Sequence, residues 1–179
     1  MQIKTPRLLL RPVNYRDVPA LVALLNDPLV SQYNDYGDKL TQPEVRAMLQ
    51  ADLEEFYEGR GGRFAIEYDK EFIGTLGLYD YDTNTNYIHL GIELAPRFWR
   101  QGLASEALRA ALHALDQLVP DREVSLVLGR IQHNNLACQR LLKHCGFRQV
   151  RDGAVAIFAF CPLSEKAGYF DEYAAFVSS

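Results

Sequence analysis

The sequence has little of what metal centres and disulfide frameworks require. It contains three cysteines and four histidines in 179 residues. Cys138, Cys145 and Cys161 form no C-x-x-C pair, and the histidines are scattered, so we expect neither a zinc site nor a disulfide framework. An odd number of cysteines favours a reducing compartment, and the predicted location is the cytoplasm.

Long apolar runs and a basic excess are lacking as well. Near the N-terminus the only apolar run is Leu8-Leu9-Leu10, which is too short for an export signal or a membrane span. The 19 basic and 23 acidic side chains give a net charge of −4, so a broad nucleic-acid-binding surface is not expected. The predicted partners therefore include neither a membrane nor a nucleic acid.

Two widespread phosphate-binding motifs are missing. The chain contains no Gly-Lys-Ser/Thr, which excludes the usual nucleoside-triphosphate loop. It also has no G-x-G-x-x-G after an early strand, so a dinucleotide-binding fold has little support.

What is present is a basic loop at a predicted helix start, Arg97-Phe98-Trp99-Arg100-Gln101-Gly102-Leu103-Ala104. It follows an alternating apolar strand, Ile88 to Leu94, and precedes an amphipathic pattern. A helix start exposes unpaired N–H groups and a positive dipole end, which suits a phosphate or pyrophosphate. Arg97 and Arg100 add positive charge; the alternative is an ordinary turn with solvated arginines.

Hydrophobic periodicity predicts a mixed α/β sheet with helices on its faces. An antiparallel meander of three strands is followed by alternating helices and strands, and a capping box at Thr41 begins one early helix. The predicted strands are Leu8–Val13, Arg63–Tyr68, Phe72–Tyr81, Tyr87–Leu94, Glu123–Ile131, Phe147–Arg151 and Ala154–Leu163. The predicted helices are one capped by Asp17, one after Thr41, one over Ala104–Leu115, one from Asn134 or Asn135 to Gly146, and a tail from Ser164.

These elements and three motifs resemble the GNAT superfamily of N-acetyltransferases, in particular its RimJ/RimL-like branch. The motifs are the start Thr5-Pro6-Arg7-Leu8-Leu9-Leu10-Arg11-Pro12, the basic loop, and Asn135-Leu136-Ala137-Cys138 with Gly146-Phe147 further on. The resemblance covers nearly the whole chain. It implies a single acetyltransferase domain over residues 1–179, with a mostly antiparallel sheet splayed between two strands.

The resemblance also implies which residues bind acetyl-CoA. Backbone amides from about Arg100 to Ala104 would hold the pyrophosphate, with Arg97 and Arg100 as further contacts. Pantetheine would lie between the splayed strands, near Asn135, whose other reading is a helix N-cap. The N–H donor for the oxyanion of the reaction would lie near Leu94 or Ala95.

A general base must take a proton from the attacking amine. Glu93 is the leading candidate, because it points away from the core beside the expected splay, and His89 points the same way. Many relatives have a tyrosine acid where this chain has Leu142; Cys138 could donate a proton instead, although a small apolar filler is the commoner role. Residues considered for the acceptor site are Tyr33, Tyr36, Tyr79, Tyr81, Asp35 and Asp38.

The expected activity is therefore transfer of an acetyl group from acetyl-CoA to a primary amine, by direct attack in a ternary complex. The acceptor is a protein N-terminus or a small-molecule amine. A homodimer is one possible assembly. The alternative is a catalytically silent acyl-CoA-binding module for sensing or interaction, which the same loop would serve equally well.

Overall fold

The computed structural model describes residues 1–34, 36–37, 39–120, 122–162 and Tyr173. Asp35, Asp38 and, apart from Tyr173, the predicted helical tail from Ser164 lie outside these residues. Tyr173 packs edge-on against Tyr87, with ring centroids 5.1 Å apart.

An eight-stranded sheet organises the described chain, with its strands in the order β1-β2-β3-β4-β5-β6-β8-β7. Neighbouring strands are antiparallel except β5 and β6, which are parallel, so the predicted mixed sheet and its meander are confirmed. The strands are β1 Ile3–Lys4, β2 Leu8–Pro12, β3 Gly62–Tyr68, β4 Glu71–Asp82, β5 Tyr87–Leu94, β6 Leu126–Gln132, β7 Arg148–Arg151 and β8 Val155–Phe160.

Helices lie on both faces of the sheet. They are α1 Val18–Leu25, α2 Pro28–Ser31, α3 Gln42–Tyr57, α4 Leu103–His113, α5 Leu115–Leu118 and α6 Leu136–His144. The predicted continuous helix to Leu115 is wrong in one respect, because the chain leaves helical geometry at Ala114 (φ −104°, ψ 20°) and restarts as α5. None of the helices that the structure describes is both long and apolar enough to span a lipid bilayer.

Two helix starts test the predicted caps. Thr41 and Glu44 form the expected capping box at the start of α3. Asp17 does not cap α1 with its side chain; its carboxylate accepts two hydrogen bonds of 2.8 Å from the Arg11 guanidinium. The prediction failed there because the ion pair with β2 competes for the same oxygens.

The two faces of the sheet bury different cores. On one face, α4 packs on the alternate β5 residues Ile88, Leu90 and Leu94, as their parity predicts. On the other face, α1 and α3 bury a second cluster that includes Leu21 and Leu49. The remaining β5 side chains, including Glu93, therefore point to the face that α1 and α3 cover.

The parallel pairing of β5 and β6 is short. Their register covers three residue pairs, from Tyr87 with Leu126 to His89 with Leu128. Beyond that point β6 continues to pair with β8, while β5 continues to pair with β4. The two strands therefore separate, and their facing edges open a slot at the carboxyl end of β5.

A pair of glycines on β4 and β5 makes room for one aromatic ring. Gly77 and Gly91 lie opposite each other in the register. A Cβ at Gly77 would lie 1.8 Å from the hydroxyl oxygen of Tyr79, whereas a Cβ at Gly91 would lie 3.3 Å from its Cε2 atom. The Tyr79 ring thus folds back along its own strand and lies against Gly77.

We expect Gly77→Ala to lower the melting temperature clearly more than Gly91→Ala. The added methyl at position 77 must displace a packed ring, and overpacking of this kind costs about 1–3 kcal/mol. Thermal unfolding of the two variants, which add the same group to paired positions, measures the difference. Equal melting temperatures would show that the Tyr79 ring does not occupy this hollow.

Candidate functional site

The basic loop is a helix start whose backbone donors are unpaired. Arg100 and Gly102 have positive φ angles of 62° and 75°, and Gly102 is the N-cap of α4 with no side-chain cap. The N–H of Glu106 makes the first hydrogen bond of the helix, to the Gly102 carbonyl at 3.0 Å. The N–H groups of the first turn are therefore free to bind an anion.

At the end of β5, backbone groups point into the slot between β5 and β6. The Ala95 N–H donates to the Ile73 carbonyl at 2.8 Å, so it is already used within the sheet. Successive N–H groups of a strand point to opposite edges, so the Leu94 N–H faces the slot. Of the two N–H donors predicted for an oxyanion, Leu94 is the one that the geometry leaves available.

The indole of Trp99 fixes the loop against the same residue. Its Nε1–H donates to the Leu94 carbonyl oxygen at 2.6 Å. This contact ties the loop to the end of β5, so the free N–H groups of α4 and the Leu94 N–H keep a fixed relation to each other.

The two arginines of the loop have different surroundings. Arg97 forms an ion pair with Glu71 and stacks on the Phe98 ring, with its Cζ 4.9 Å from the ring centroid. Arg100 makes no ion pair or hydrogen bond with the described residues. Of the two arginines predicted to contact phosphate, Arg100 is therefore the one whose side chain is more available.

The N-terminal segment clamps the start of α4. The Glu106 carboxylate accepts hydrogen bonds from the Thr5 hydroxyl at 2.5 Å and from Arg7 Nε at 2.6 Å. Arg7 Nη1 also donates to the Gln101 carbonyl at 3.0 Å. Burial opposes ionisation of Glu106, but the hydrogen bonds from Thr5 and Arg7 outweigh it and lower its pKa. The clamp fixes the loop from outside, and the sequence analysis did not identify it.

On the face covered by α1 and α3, Glu93 belongs to a buried polar cluster. Its carboxylate accepts a hydrogen bond of 2.8 Å from the Thr75 hydroxyl, which is fully buried. Arg63 Nη1 lies 3.6 Å from the same carboxylate oxygen. The Glu93 side chain is thus held in place by two neighbouring side chains.

Arg63 links the members of this cluster. Its side chain is 3% exposed, and its Nε donates to Asp52 on α3 at 2.8 Å. Its Nη2 lies 3.4 Å from the Tyr36 hydroxyl, and its Cζ lies 5.5 Å from the centroid of the Tyr79 ring. Two carboxylates and one guanidinium therefore share a small buried volume, an arrangement that attracts a further cation.

Cys138 lies on the other side of the slot, in the first turn of α6. Burial raises the pKa of its thiol to about 12, and the negative charge of Glu93 contributes. Its N–H donates to the Asn135 side chain at 3.1 Å, so Asn135 is the N-cap of α6. Leu142 is buried in the main core, its Cδ1 2.7 Å from where a Gly129 Cβ would lie.

His89 is on the same face as Glu93 but does not join its cluster. It lies in the paired part of β5, opposite Tyr79 on β4 and Leu128 on β6. Burial is the main cause that lowers the pKa of His89 below its ordinary value, so the imidazole is neutral at pH 7. Four residues along a strand correspond to roughly 13 Å, which separates His89 from Glu93.

The sequence analysis missed Asp52, Arg63 and Thr75. Asp52 follows Val45 and Leu49 on the buried face of α3. A charged residue on an apolar stripe is the signal that could have revealed it, because buried charges need partners. Of the predicted tyrosines, Tyr36 and Tyr79 reach the cluster; the Tyr81 hydroxyl bonds instead to Asn86 at 2.8 Å and to the Glu123 carbonyl at 3.1 Å.

Within the described ranges, no three His, Cys, Asp or Glu side chains are grouped so as to hold a metal ion. What the described residues provide is an uncapped helix start, a slot between two strands and a buried carboxylate.

Comparison with known proteins establishes the family of this chain. The sequence profile of the acetyltransferase (GNAT) domain family matches residues 7–148. The chain therefore belongs to the GNAT acetyltransferase family, and it is an acetyl-CoA-dependent acyltransferase by class.

One sequence relative and two solved structures with a similar fold are as follows. "Uncharacterized N-acetyltransferase YoaA" of Bacillus subtilis (strain 168) is 29% identical over 150 residues, which are 82% of each chain. An acetyltransferase from Salmonella typhimurium that modifies the N-terminal serine of ribosomal protein L7/L12 has a TM-score of 0.77 at 20% identity, covering 90% of this chain and 99% of its own. The ribosomal L7/L12 α-N-protein acetyltransferase RimL in complex with coenzyme A has a TM-score of 0.76 at 20% identity, covering 90% and 98%.

We expect Glu106→Gln to lower the melting temperature at pH 7, because the amide weakens the hydrogen bonds to Thr5 and Arg7. The folded-state pKa of Glu106 is depressed, so its stabilisation is present above the pKa of the unfolded chain, about 4.3. This stabilisation is lost as the pH falls through the folded-state pKa. Thermal unfolding between pH 7 and pH 3 should therefore show the two proteins converge at the acidic end.

Glu54→Gln is the control for this measurement. Glu54 is an exposed glutamate on α3 that accepts a hydrogen bond from Gln50 at 3.1 Å. Its substitution should change stability little at any pH. A pH-independent difference for Glu106→Gln would mean that the carboxylate charge does not contribute to the clamp.

Proposed function

We propose that this protein transfers an acetyl group from acetyl-CoA to a primary amine, by direct attack of the amine in a ternary complex. The acceptor is a protein N-terminal α-amine or a small-molecule amine. The observation that carries the proposal is the slot between β5 and β6, with an uncapped helix start at its mouth and the buried Glu93 beside it.

The uncapped start of α4 fits the pyrophosphate of coenzyme A. In the proposal, N–H groups from Gln101 to Ala104 bind phosphate oxygens, and Gly102 leaves the approach open because it has no Cβ. The nearest atom to a Cβ placed at Gly102 would be Arg7 Nη2, at 3.5 Å. Arg100 supplies further positive charge, and the Asn135 end of α6 borders the pantetheine arm.

Acetyl-CoA supplies the acetyl group as an activated thioester. The Leu94 N–H is positioned to donate a hydrogen bond to the oxygen on which negative charge develops, and Trp99 holds that residue in place through its carbonyl. Glu93 takes the proton that the amine must lose, either directly or through a water molecule. Thr75 and Arg63 keep its carboxylate oriented towards that proton.

Two acceptor classes fit the site. A buried pair of carboxylates beside one guanidinium favours a cationic group, and a primary amine arrives mostly protonated at neutral pH. The Salmonella typhimurium protein modifies an N-terminal serine, which supports a peptide α-amine as one acceptor. Peptides beginning with serine or alanine, spermidine, methylamine and an aminoglycoside form the test panel.

Release of free CoA thiol from acetyl-CoA, measured with each panel member, tests the proposed activity. A rate above that of hydrolysis with at least one amine, together with acetylated product by mass spectrometry, is the expected result. Binding of acetyl-CoA without transfer to any amine would favour the silent acyl-CoA-binding module. If the protein does not bind acetyl-CoA, the proposed acetyl-CoA site is wrong.

We expect saturating acetyl-CoA, but not ATP or NAD, to raise the melting temperature, since a ligand that binds the folded state stabilises it by mass action.

Gly102→Val should weaken acetyl-CoA binding by about tenfold or more, or about 1.4 kcal/mol, because a branched side chain covers the amides. Isothermal titration calorimetry measures the affinity of the wild type and of this variant for acetyl-CoA.

Gly37→Val is the matched control. Gly37 has a φ of 79°, close to the 75° of Gly102, and open space around its Cβ position. It therefore carries the same backbone strain outside the loop, and its affinity for acetyl-CoA should match that of the wild type. If Gly102→Val also keeps wild-type affinity while folded, the loop is not the pyrophosphate site.

We expect Glu93→Gln to lower kcat by about 10²–10⁴-fold, the usual cost of losing a general base, with little change in acetyl-CoA affinity. The acidic limb of the kcat profile should disappear, because the amide has no proton to lose. The measurement is kcat against pH with the best amine of the panel.

His89→Asn is measured beside Glu93→Gln to separate the two base candidates. It should keep near-normal kcat, because His89 lies outside the cluster around Arg63. Loss of kcat in His89→Asn, with near-normal kcat in Glu93→Gln, would make His89 the base. If both variants stay active, the proton leaves through another group.

A further inference from the structure

One buried polar group in the Glu93 cluster lacks a partner. The hydroxyl of Tyr79 is buried and makes no hydrogen bond with any described residue. Buried hydroxyls normally find a partner, and an unmade hydrogen bond costs stability. Burial raises the pKa of Tyr79 well above its usual value, so the hydroxyl stays protonated and can both donate and accept.

The surrounding packing holds this hydroxyl in place. The ring lies against Gly77, and the Cβ position of Gly91 on the neighbouring strand lies 3.3 Å from its Cε2 atom. The guanidinium of Arg63 stacks over the ring, with its Cζ 5.5 Å from the ring centroid. A glycine pair and a stacked cation therefore fix the direction of a hydroxyl that bonds to none of them.

The unpartnered hydroxyl lies close to the proposed base. Its oxygen sits over Gly77, and Thr75 is the next residue of β4 on the same face. Two residues along a strand span about 7 Å, so the Tyr79 hydroxyl lies near the side chains around Thr75. Thr75 in turn donates to Glu93 at 2.8 Å.

We propose that the Tyr79 hydroxyl and the Glu93 carboxylate together bind the acceptor nitrogen, as a two-point receptor for a primary amine. This inference rests on the proposed function and adds a second acceptor-binding group to it. One N–H of the amine donates to Glu93 and the other to the Tyr79 oxygen. The nitrogen lone pair then points away from both, towards the slot.

The receptor explains why the hydroxyl is left without a partner. The amine binds as the neutral species, its ammonium proton having passed to solvent. When its nitrogen forms the bond to the acetyl carbon, the carbon–sulfur bond breaks, its electron pair leaves on the thiolate, and one N–H proton passes to the Glu93 carboxylate. The Tyr79 hydroxyl transfers no proton in this step; it fixes the direction of attack. Two points of attachment also require two N–H bonds on the nucleophile, which selects primary over secondary amines.

Tyr79→Phe tests the inference, because it removes the oxygen and keeps the ring in its hollow. With methylamine and a serine-initiated hexapeptide as acceptors, we expect kcat/KM for the acceptor to fall by roughly tenfold, as for one lost hydrogen bond. Acetyl-CoA affinity should not change. The melting temperature should stay the same or rise, since an unpartnered buried hydroxyl has been removed.

Tyr81→Phe is the matched control on the same strand. Its hydroxyl has partners, Asn86 at 2.8 Å and the Glu123 carbonyl at 3.1 Å, outside the cluster. The control should lower the melting temperature and leave the kinetics unchanged. Opposite patterns in the two variants separate a hydroxyl kept for a ligand from one kept for stability.

Three results would overturn the inference. Wild-type kcat/KM in a folded Tyr79→Phe would remove the hydroxyl from the receptor. A melting temperature lowered as far as in Tyr81→Phe would give the hydroxyl a structural partner, and weakened acetyl-CoA binding would place it against the other substrate. If the wild type itself transfers nothing to either acceptor, the proposed function has failed, and the inference falls with it.

Discussion

The early end of the parallel pairing between β5 and β6 is the constraint on which the rest of the site depends. A fully paired β5 would use the Leu94 N–H in a ladder and leave no slot for a ligand. Because pairing stops after His89 and Leu128, the last residues of β5 keep one edge unpaired. The Trp99 indole occupies the Leu94 carbonyl at 2.6 Å, so the exposed edge retains one donor facing the slot. The loop and the strand end are thereby built as one unit.

The buried polar cluster on the opposite face is held by ion pairs and hydrogen bonds around Arg63. Arg63 is the shared partner of Asp52 and Glu93, at 2.8 and 3.6 Å. Buried ion pairs seldom add net stability, whereas removing one member costs about 3–5 kcal/mol. Retention of this cluster is therefore better explained by what it does to Glu93 than by what it adds to folding. The carboxylate is kept in one position beside the slot, with the Tyr79 ring fixed nearby by the same guanidinium.

Local patterns were sufficient to predict strands β2 to β8, the longer helices and the basic loop, but neither β1 nor α2. The alternation in β5 placed Leu94 and Glu93 on opposite faces, and the glycine at the start of α4 predicted an uncapped helix. The same patterns could not predict the Arg63–Asp52 pair or the clamp on Glu106. Those contacts join residues 11 or about 100 positions apart, so only the folded chain brings them together. The sequence could therefore suggest which residues belong to the site. It could not reveal the cluster that orients Glu93, because that cluster depends on tertiary contacts.

The departing thiolate needs less help than the attacking amine. Leu142 is buried in the core at the position where the resemblance implied a tyrosine acid, so the acid must come from elsewhere or be unnecessary. Burial first, and then Glu93, raises the pKa of Cys138 to about 12. Proton transfer from that thiol to a thiolate of ordinary pKa, about 8.5, would be uphill. Cys138 therefore stays a neutral thiol packed against the core. Because a thiolate is a stable leaving group near neutral pH, the demanding proton transfer is the one at the amine, and the buried polar residues are gathered on that side of β5.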